Sequence, residues 1–416
     1  MAEEKKNIPK LRFREFTGDN ANAWELRKLG EVGKALSGVG FPNSEQGGKS
    51  GIPFYKVSDM NIKGNEHEMT TANNYVTNEQ ISRKKWTPIK NVPAIFFAKV
   101  GAAVLLNRKR LCRKPFLMDN NTMAYSMDQN YLNADFSKSL FETINLASLV
   151  QVGALPSYNA QDIENIKIAI PNLNEQKKIA CYFKNIDSLI ALHQRMLDEY
   201  KTLKKTMLSK MFPKNSEKYP ELRFSGFTDA WELRKLGEVA RIVGGGTPKT
   251  SIPEYWNGEI NWYSPVEIGK QTYVYSSQKK ITELGLKKSS AKILPVGTIL
   301  FTSRAGIGNT AILSKEATTN QGFQSIVPDS IELDSYFIYS RSSELKKYGE
   351  KNGAGSTFIE VSGKEMEKMP IYLPKLIEQQ KIGSFFRHLD ELITLHQREL
   401  ELLKTLKKTM LQQMFV

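Results

Sequence analysis

Glu175-Gln176-Lys177-Lys178-Ile179 opens a stretch that runs through Leu192-His193-Gln194-Arg195 to Leu203-Lys204-Lys205-Thr206-Met207-Leu208 and closes on Met211-Phe212. The chain writes it again as Glu378-Gln379-Gln380-Lys381-Ile382, Leu395-His396-Gln397-Arg398, Leu406-Lys407-Lys408-Thr409-Met410-Leu411 and Met414-Phe415. More than half of the positions are identical, and the copies lie much further apart than the ~20–50 residues of a solenoid repeat. Each copy predicts one long helix. Lys, Leu, Met, Gln and Arg favour helix, and neither copy holds Gly or Pro from its middle to its end. Leu189, His193, Met196, Tyr200, Leu203 and Met207 follow the alternating spacing of a coiled-coil seam. Leu392, His396, Leu403, Leu406 and Met410 repeat it, with Glu399 as a polar interruption. Pro213 stops the first helix. At ~1.5 Å per residue, about 34 residues give a rod of roughly 50 Å. Two such rods in one chain pack most simply on each other as an antiparallel pair.

Working outward, a second repeat precedes each globular part. Leu11-Arg12-Phe13, Phe16-Thr17 and Ala23-Trp24-Glu25-Leu26-Arg27-Lys28-Leu29-Gly30-Glu31-Val32 return as Leu222-Arg223-Phe224, Phe227-Thr228 and Ala230-Trp231-Glu232-Leu233-Arg234-Lys235-Leu236-Gly237-Glu238-Val239. The Trp, Leu and Val suit a structural lead-in that anchors a domain margin while Arg and Lys stay wet. The chain therefore reads as one unit written twice: lead-in, globular body, long helix. In linear terms, 1–22 is a tail and lead-in, 23–170 the first body and 171–212 the central helix. Residues 213–229 are a linker and second lead-in, 230–373 the second body and 374–416 the second helix. The bodies differ far more than the helices but share landmarks. Ala94-Ile95-Phe96-Phe97-Ala98-Lys99-Val100-Gly101 parallels Thr298-Ile299-Leu300-Phe301-Thr302-Ser303-Arg304-Ala305-Gly306, a strand–turn–strand pattern. Ile52-Pro53-Phe54-Tyr55-Lys56-Val57 parallels Ile260-Asn261-Trp262-Tyr263-Ser264-Pro265. With Gly-rich turns throughout, the fold class is mixed α/β.

The 416 residues allow two or three domains, and 40% hydrophobic with 25% charged residues is the composition of an ordinary globular protein. No apolar run approaches the ~18 residues of a membrane span. Cys112 and Cys181 are far apart and have no pairing pattern, which fits a reduced, cytoplasmic chain and excludes a cysteine zinc site. The net charge of +15 favours an anionic partner, most often nucleic acid, over solubility alone.

No catalytic constellation emerges. The chain lacks the Pro-Pro of an amino-methyltransferase tetrapeptide, and Gly48-Lys49-Ser50 has Asn43 where a phosphate loop needs Gly. The histidines, His67, His193, His388 and His396, show no metal-helix spacing, and two of them lie on the seam, where a polar side chain fixes register. What remains is a binding surface. The first body offers Lys56, Lys99, Arg108, Arg110 and Arg113, with Ser157 and Tyr158. The second offers Lys249, Tyr263, Arg304, Asn320, Gln321 and Gln324, with Ser356 and Thr357. Lys99 and Arg304 fall at the same place in the two hairpins. Basic side chains neutralise phosphates, while Arg, Asn and Gln also pair with base edges. For any one residue a solvated basic face is the competing explanation.

The pattern resembles the specificity (S) subunit of type I restriction–modification enzymes. The matching residues are Pro171-Asn172-Leu173-Asn174-Glu175-Gln176 and Pro374-Lys375-Leu376-Ile377-Glu378-Gln379, the Leu-Gly-Glu-Val segments at Leu29 and Leu236, Gly246-Thr247-Pro248, and Gly297-Thr298-Ile299-Leu300 running to Gly308. The first body departs from it with Gly40-Phe41-Pro42 where Gly-Thr-Pro is expected. The resemblance implies a non-catalytic reader of double-stranded DNA. Each body would be a target recognition domain for one half of a split site, and the paired helices a spacer. Two methyltransferase subunits would dock on it, with restriction and motor subunits joining through the complex. S-adenosylmethionine, ATP and Mg²⁺ would sit on those partners and no cofactor on this chain. Rods of roughly 50 Å are on the scale of the ~34 Å that separates major-groove half-sites. A basic coiled-coil scaffold for an acidic protein, and an enzyme with an unrecognised nuclease site, remain open from residues alone.

Overall fold

The computed structural model describes residues 7–18, 22–150, 157–214, 217–304, 306–355 and 359–416. The chain divides into two compact units. Unit 1 comprises Met1–Gln194 together with Arg398–Val416, and unit 2 comprises Arg195–Gln397. The division falls inside both long helices rather than at their starts, for a reason visible in each core.

In unit 1 the run Ala94–Ala98 is buried at every position. It forms an inner strand of a four-stranded sheet in the order Gly33–Ser37, Thr122–Met127, Ala94–Ala98, Lys109–Cys112, with antiparallel neighbours throughout. Successive side chains of a strand face opposite ways. Ile95 and Phe97 accordingly join the large core with Trp24, Phe136 and Phe183, while Ala94 and Phe96 join a smaller one with Tyr55 and Phe116. A three-stranded sheet of Tyr75–Val76, Ile52–Tyr55 and Leu117–Met118 completes the body. The lead-in strand Glu25–Lys28 pairs antiparallel with Lys167–Ile170, the strand that feeds the long helix.

Unit 2 repeats this logic with different residues. Its five-stranded sheet has the order Ala240–Gly244, Gln324–Pro328, Ile299–Phe301, Thr310–Leu313, Tyr273–Val274. Ile299 and Phe301 face the core that holds Trp231 and Phe337, and Leu300 faces the other side with Tyr263 and Phe323. Lys279–Ile281, Trp256–Tyr263 and Ala317–Thr319 form the three-stranded sheet, and Glu232–Lys235 pairs with Pro370–Leu373.

The long helices are Leu173–Lys210 and Leu376–Met414. Their Glu-Gln starts are buried and clasped. Glu175 accepts two bonds from the Arg12 guanidinium, at 2.6 and 2.7 Å, and Glu378 accepts the same pair from Arg223 at 2.7 and 2.8 Å. Gln176 accepts from the Asn133 amide and donates to the Tyr131 and Pro171 carbonyls; Gln379 does the same with Asp334, Glu332 and Pro374. The duplicated Arg of the lead-in and the duplicated Glu-Gln are thus two ends of one tether, which fixes where each helix leaves its body.

Each unit closes its core with the last turns of a long helix. In unit 1, Phe415 packs on Trp24, Phe136 and Phe183, with ring centroids 6.0, 5.5 and 5.9 Å away. In unit 2, Phe212 packs on Trp231, Phe337 and Phe386 at 6.1, 5.4 and 5.9 Å. Helix segments run antiparallel within each unit. Lys407 meets Asp187 while Phe415 meets Phe183; likewise Lys204 meets Asp390 while Phe212 meets Phe386.

The seam differs from the sequence expectation by one position in alternate steps. Covered positions on the first helix recur at Ile186, Ile190, His193, Leu197, Tyr200, Lys204, Met207 and Met211. On the second they recur at Leu389, Ile393, His396, Leu400, Leu403, Lys407, Met410 and Met414. His193, Tyr200, Met207, His396, Leu403 and Met410 lie on that row. Leu189 and Leu203 are 43% and 37% exposed and Leu406 36%, whereas Leu197 and Leu400 are each 4% exposed. Met196 and Leu392 lie on the flank, half-buried. At Leu203 and Leu406 the physical cause is Lys204 and Lys407. Their aliphatic stems fill seam positions while the ammonium groups pair with Asp390 and Asp187 at 2.5 and 2.7 Å, so an apolar-spacing rule steps over them to the neighbouring leucines.

Candidate nucleic-acid interface

In unit 2, Gly244, Thr302 and Gln324 lie at one end of three neighbouring strands, and the loops there converge. The Asn320 amide donates to the Tyr263 carbonyl at 3.0 Å, Ser303 to Gly322 at 2.9 Å and Gly246 to Thr319 at 2.8 Å. Gly322 marks the meeting point. A Cβ built there would lie 3.0 Å from the Pro265 ring and from Asn320 Oδ1, and 3.6 Å from Arg304 Nε. Gly245 runs so close to the Asn320 carbonyl that a Cβ would sit 2.0 Å from it. Arg304, Asn320 and Gln321 are therefore gathered on one face. Thr247 donates to Gln321, and Gln324 lies between Gly244 and Gly363. Lys249 is exposed on the same glycine-led loop. Among the described residues, Arg304 has a long ion pair with Glu360, at 3.9 Å and half-exposed, which holds it weakly.

Unit 1 builds the same frame from other side chains. Asp119 donates through its amide to the Tyr55 carbonyl at 3.0 Å and Lys99 to Asn121 at 2.8 Å. Lys99 Nζ reaches Ser37 Oγ at 3.3 Å, Lys56 Nζ reaches Gln46 Oε1 at 3.3 Å, and Arg108 donates to Asn61 at 2.5 Å. Ser157 bridges to Val100 beside Lys99. The exposed amides Asn120 and Asn121 stand where unit 2 has Gln321 and Gly322. Sequence reasoning passed them over, although the run Asp119-Asn120-Asn121 is the counterpart of the Asn320-Gln321-Gly322 stretch it picked.

Five expectations need correction. Tyr158 is a core residue whose hydroxyl donates to the Ala98 carbonyl. Tyr263 is likewise buried, its hydroxyl pushed up to about 12 by loss of solvent. Both aromatics stack in the hydrophobic layers instead of facing out. Arg113 is engaged by Glu68 and Asp135. Arg110 is half-buried and donates to the Lys109 carbonyl; burial, and then the Arg108 charge, lower its pKa. The basic run is thus dispersed, because a strand sends alternate side chains to opposite faces; Lys109 is buried outright, its ammonium pushed down to about 8 by desolvation. Lys99 and Arg304 are one step out of register, since the amide that matches Lys99 belongs to Ser303. Ser356 and Thr357 lie outside the described residues.

One other cluster gathers ligand-type groups. His67, Glu142 and Asp187 have ligand atoms within 4.8 Å of one another. Lys138 and Lys407 each bridge Glu142 and Asp187, so both carboxylates are already neutralised. Burial lowers the pKa of His67 despite the Asp187 charge beside it. The arrangement is a salt-bridge network that ties the helix segments of unit 1 to its body. Among the described residues no helix is long and apolar enough to cross a membrane.

Comparison with known proteins agrees with this construction. Residues 22–202 and 228–405 both match the family described as type I restriction modification DNA specificity domain. The MjaIX type I restriction enzyme specificity subunit of Methanocaldococcus jannaschii is 35% identical over 189 residues, 45% of this chain and 44% of that one. The EcoR124I/EcoR124II specificity subunit of Escherichia coli is 30% identical over 208 residues, 48% of this chain and 51% of that one. Each of these two alignments spans about half of the relative. In fold, the chain is similar over 98% of its length to the crystal structure of a type I restriction–modification S subunit from M. genitalium, with a TM-score of 0.62, 16% identity and 99% of that chain covered.

Proposed function

This chain belongs to the type I restriction modification DNA specificity family, and from that premise we propose that it is the non-catalytic DNA-recognition subunit of a restriction–modification complex. Each body reads one half of a bipartite site, and the helices set the spacing between the halves. The observation that carries this reading is the repeated loop frame with unlike side chains. Tyr55 with Asp119, and Tyr263 with Asn320, make the same backbone bond, yet one frame presents Lys56, Lys99, Asn120 and Asn121 and the other Arg304, Asn320 and Gln321. A shared frame with different contents suits two different half-sequences. Transfer and cleavage chemistry, with S-adenosylmethionine, ATP and Mg²⁺, belongs to the partner subunits.

Arg304 is the side chain with the most to lose. Arg304→Ala should weaken binding to the cognate duplex about ten- to a hundredfold through the unit 2 half-site, since one good bidentate base contact is worth ~1–3 kcal/mol. Wild-type affinity should also fall linearly with log salt, at about 0.9 per phosphate neutralised. Fluorescence anisotropy on duplexes taken from genome-wide methylation mapping measures both. A flat salt response, or Arg304→Ala binding all half-sites as before, would count against the reading.

The helices carry a second duplicated feature. Leu192 and Leu395 occupy equivalent positions and are both exposed, which suits one methyltransferase subunit on each unit. Leu192→Asp and Leu395→Asp should each remove one methyltransferase subunit from the purified complex, as read by native mass spectrometry. Unchanged stoichiometry in both variants would move the docking site elsewhere.

A further inference from the structure

Val266 is 84% exposed, next to buried Tyr263 and Ile268. A single exposed apolar residue is ordinary on a protein surface; the way this one is displayed is not. It sits in the tight turn Pro265–Glu267. Glu267 clasps that turn, accepting from the Ser264 amide at 2.9 Å, the Ser264 hydroxyl at 2.8 Å and the Gln278 amide at 2.7 Å. Pro265 fixes the backbone before it, and a β-branched side chain has little χ1 freedom. The result is a rigid apolar knob held out in water. Its neighbour Pro265 forms the third wall, with Arg304 and Asn320, of the space around Gly322. The knob therefore stands beside a guanidinium and an amide on one face.

Unit 1 contains the same device with a different tip. The turn Val57–Asn61 follows Tyr55-Lys56, and Asp59 clasps it by accepting from the Lys56 amide at 2.7 Å. The residue in the place of Val266 is Ser58, also exposed. A turn clasped by a carboxylate in both units, Glu267 in one and Asp59 in the other, with Val266 at the tip of one and Ser58 at the tip of the other, is a way of presenting one side chain. The one base-edge group in the major groove that rewards an apolar knob is the C5-methyl of thymine; the others are hydrogen-bond donors and acceptors. We propose that Val266 is a specificity-determining residue that packs on a thymine methyl group in the half-site read by unit 2. This rests on the DNA-reading role proposed above.

The test removes only the methyl group. Each thymine of the unit 2 half-site is replaced singly by deoxyuridine, and the full-length chain is titrated as wild type, Val266→Ala and Val266→Ser. One replacement should weaken wild-type binding about three- to tenfold, the scale for burying a methyl group with its immediate contacts. The same replacement should leave both variants within twofold. If no replacement moves the wild type while Arg304→Ala still loses sequence-specific binding, the Val266 assignment is wrong and the DNA-reading role stands. A half-site with no thymine on either strand overturns it equally. If the chain does not distinguish half-site sequences at all, the DNA-reading role falls and takes Val266 with it.

Discussion

Phe415→Ala should unfold unit 1 well before unit 2. The ring is buried against Trp24, Phe136 and Phe183. Cutting a buried Phe to Ala costs about 3–5 kcal/mol, because the transfer energy of the ring is lost and a cavity is left. That is a large share of a typical domain's ~5–15 kcal/mol. Phe212→Ala should do the same to unit 2, where the ring meets Trp231, Phe337 and Phe386. Hydrogen exchange reads the two apart. Phe415→Ala should cost protection in Ala94–Ala98, an inner strand of unit 1, and spare Ile299–Phe301 in unit 2; Phe212→Ala should reverse the pattern. Loss of protection in Ile299–Phe301 on changing Phe415 would contradict the packing described.

Glu175→Ala should be of similar severity. Arg12 and Glu175 are 5% and 0% exposed and share a bidentate contact. Removing the carboxylate strands a buried guanidinium, at about 3–5 kcal/mol. Replacing both partners by apolar residues of similar volume, Arg12→Met with Glu175→Leu, should recover most of that loss, since the pair repays little beyond its own desolvation. Chemical denaturation of the three variants decides it. A single substitution costing under ~1 kcal/mol would mean that Arg12 finds water or another acceptor, and that the tether does not hold the start of the helix.

These two contacts show what could be read from residues and what could not. Duplication was legible because it needs no structure: Arg12 with Arg223, Glu175 with Glu378 and Phe212 with Phe415 are letters repeated at fixed separation. The short apolar, aromatic-rich run Ala94–Ala98, followed by a glycine turn and a second apolar run, marked the strand. The seam register was not legible, because Lys204 and Lys407 hide apolar stems under charged labels while Leu189 and Leu203 look like seam and are wet. At the candidate interface the sequence gives residue type but not direction. Tyr158 and Tyr263 turn inward, Arg113 is claimed by carboxylates far away in the chain, and Lys99 sits one step from the register of Arg304. Asn120, Asn121 and Val266 were missed for the opposite reason. The backbone bonds to Tyr55 and Tyr263 show that Asn120 and Asn121 occupy the loop equivalent to Gln321 and Gly322, and the carboxylate clasps of Glu267 and Asp59 show how Val266 is displayed.

The interleaved membership of the units also bears on biosynthesis. All of unit 2 lies between Arg195 and Gln397, so its contents have been translated before Arg398–Val416 is made. Unit 1, begun first, waits for that last stretch to deliver Phe415 and Lys407. The body that emerges first from the ribosome is thus the last to be sealed. While the second is being synthesised, the open apolar pocket around Trp24 is a surface for chaperones to shield, and a chain cut short after Gln397 would carry a damaged first body and an intact second one.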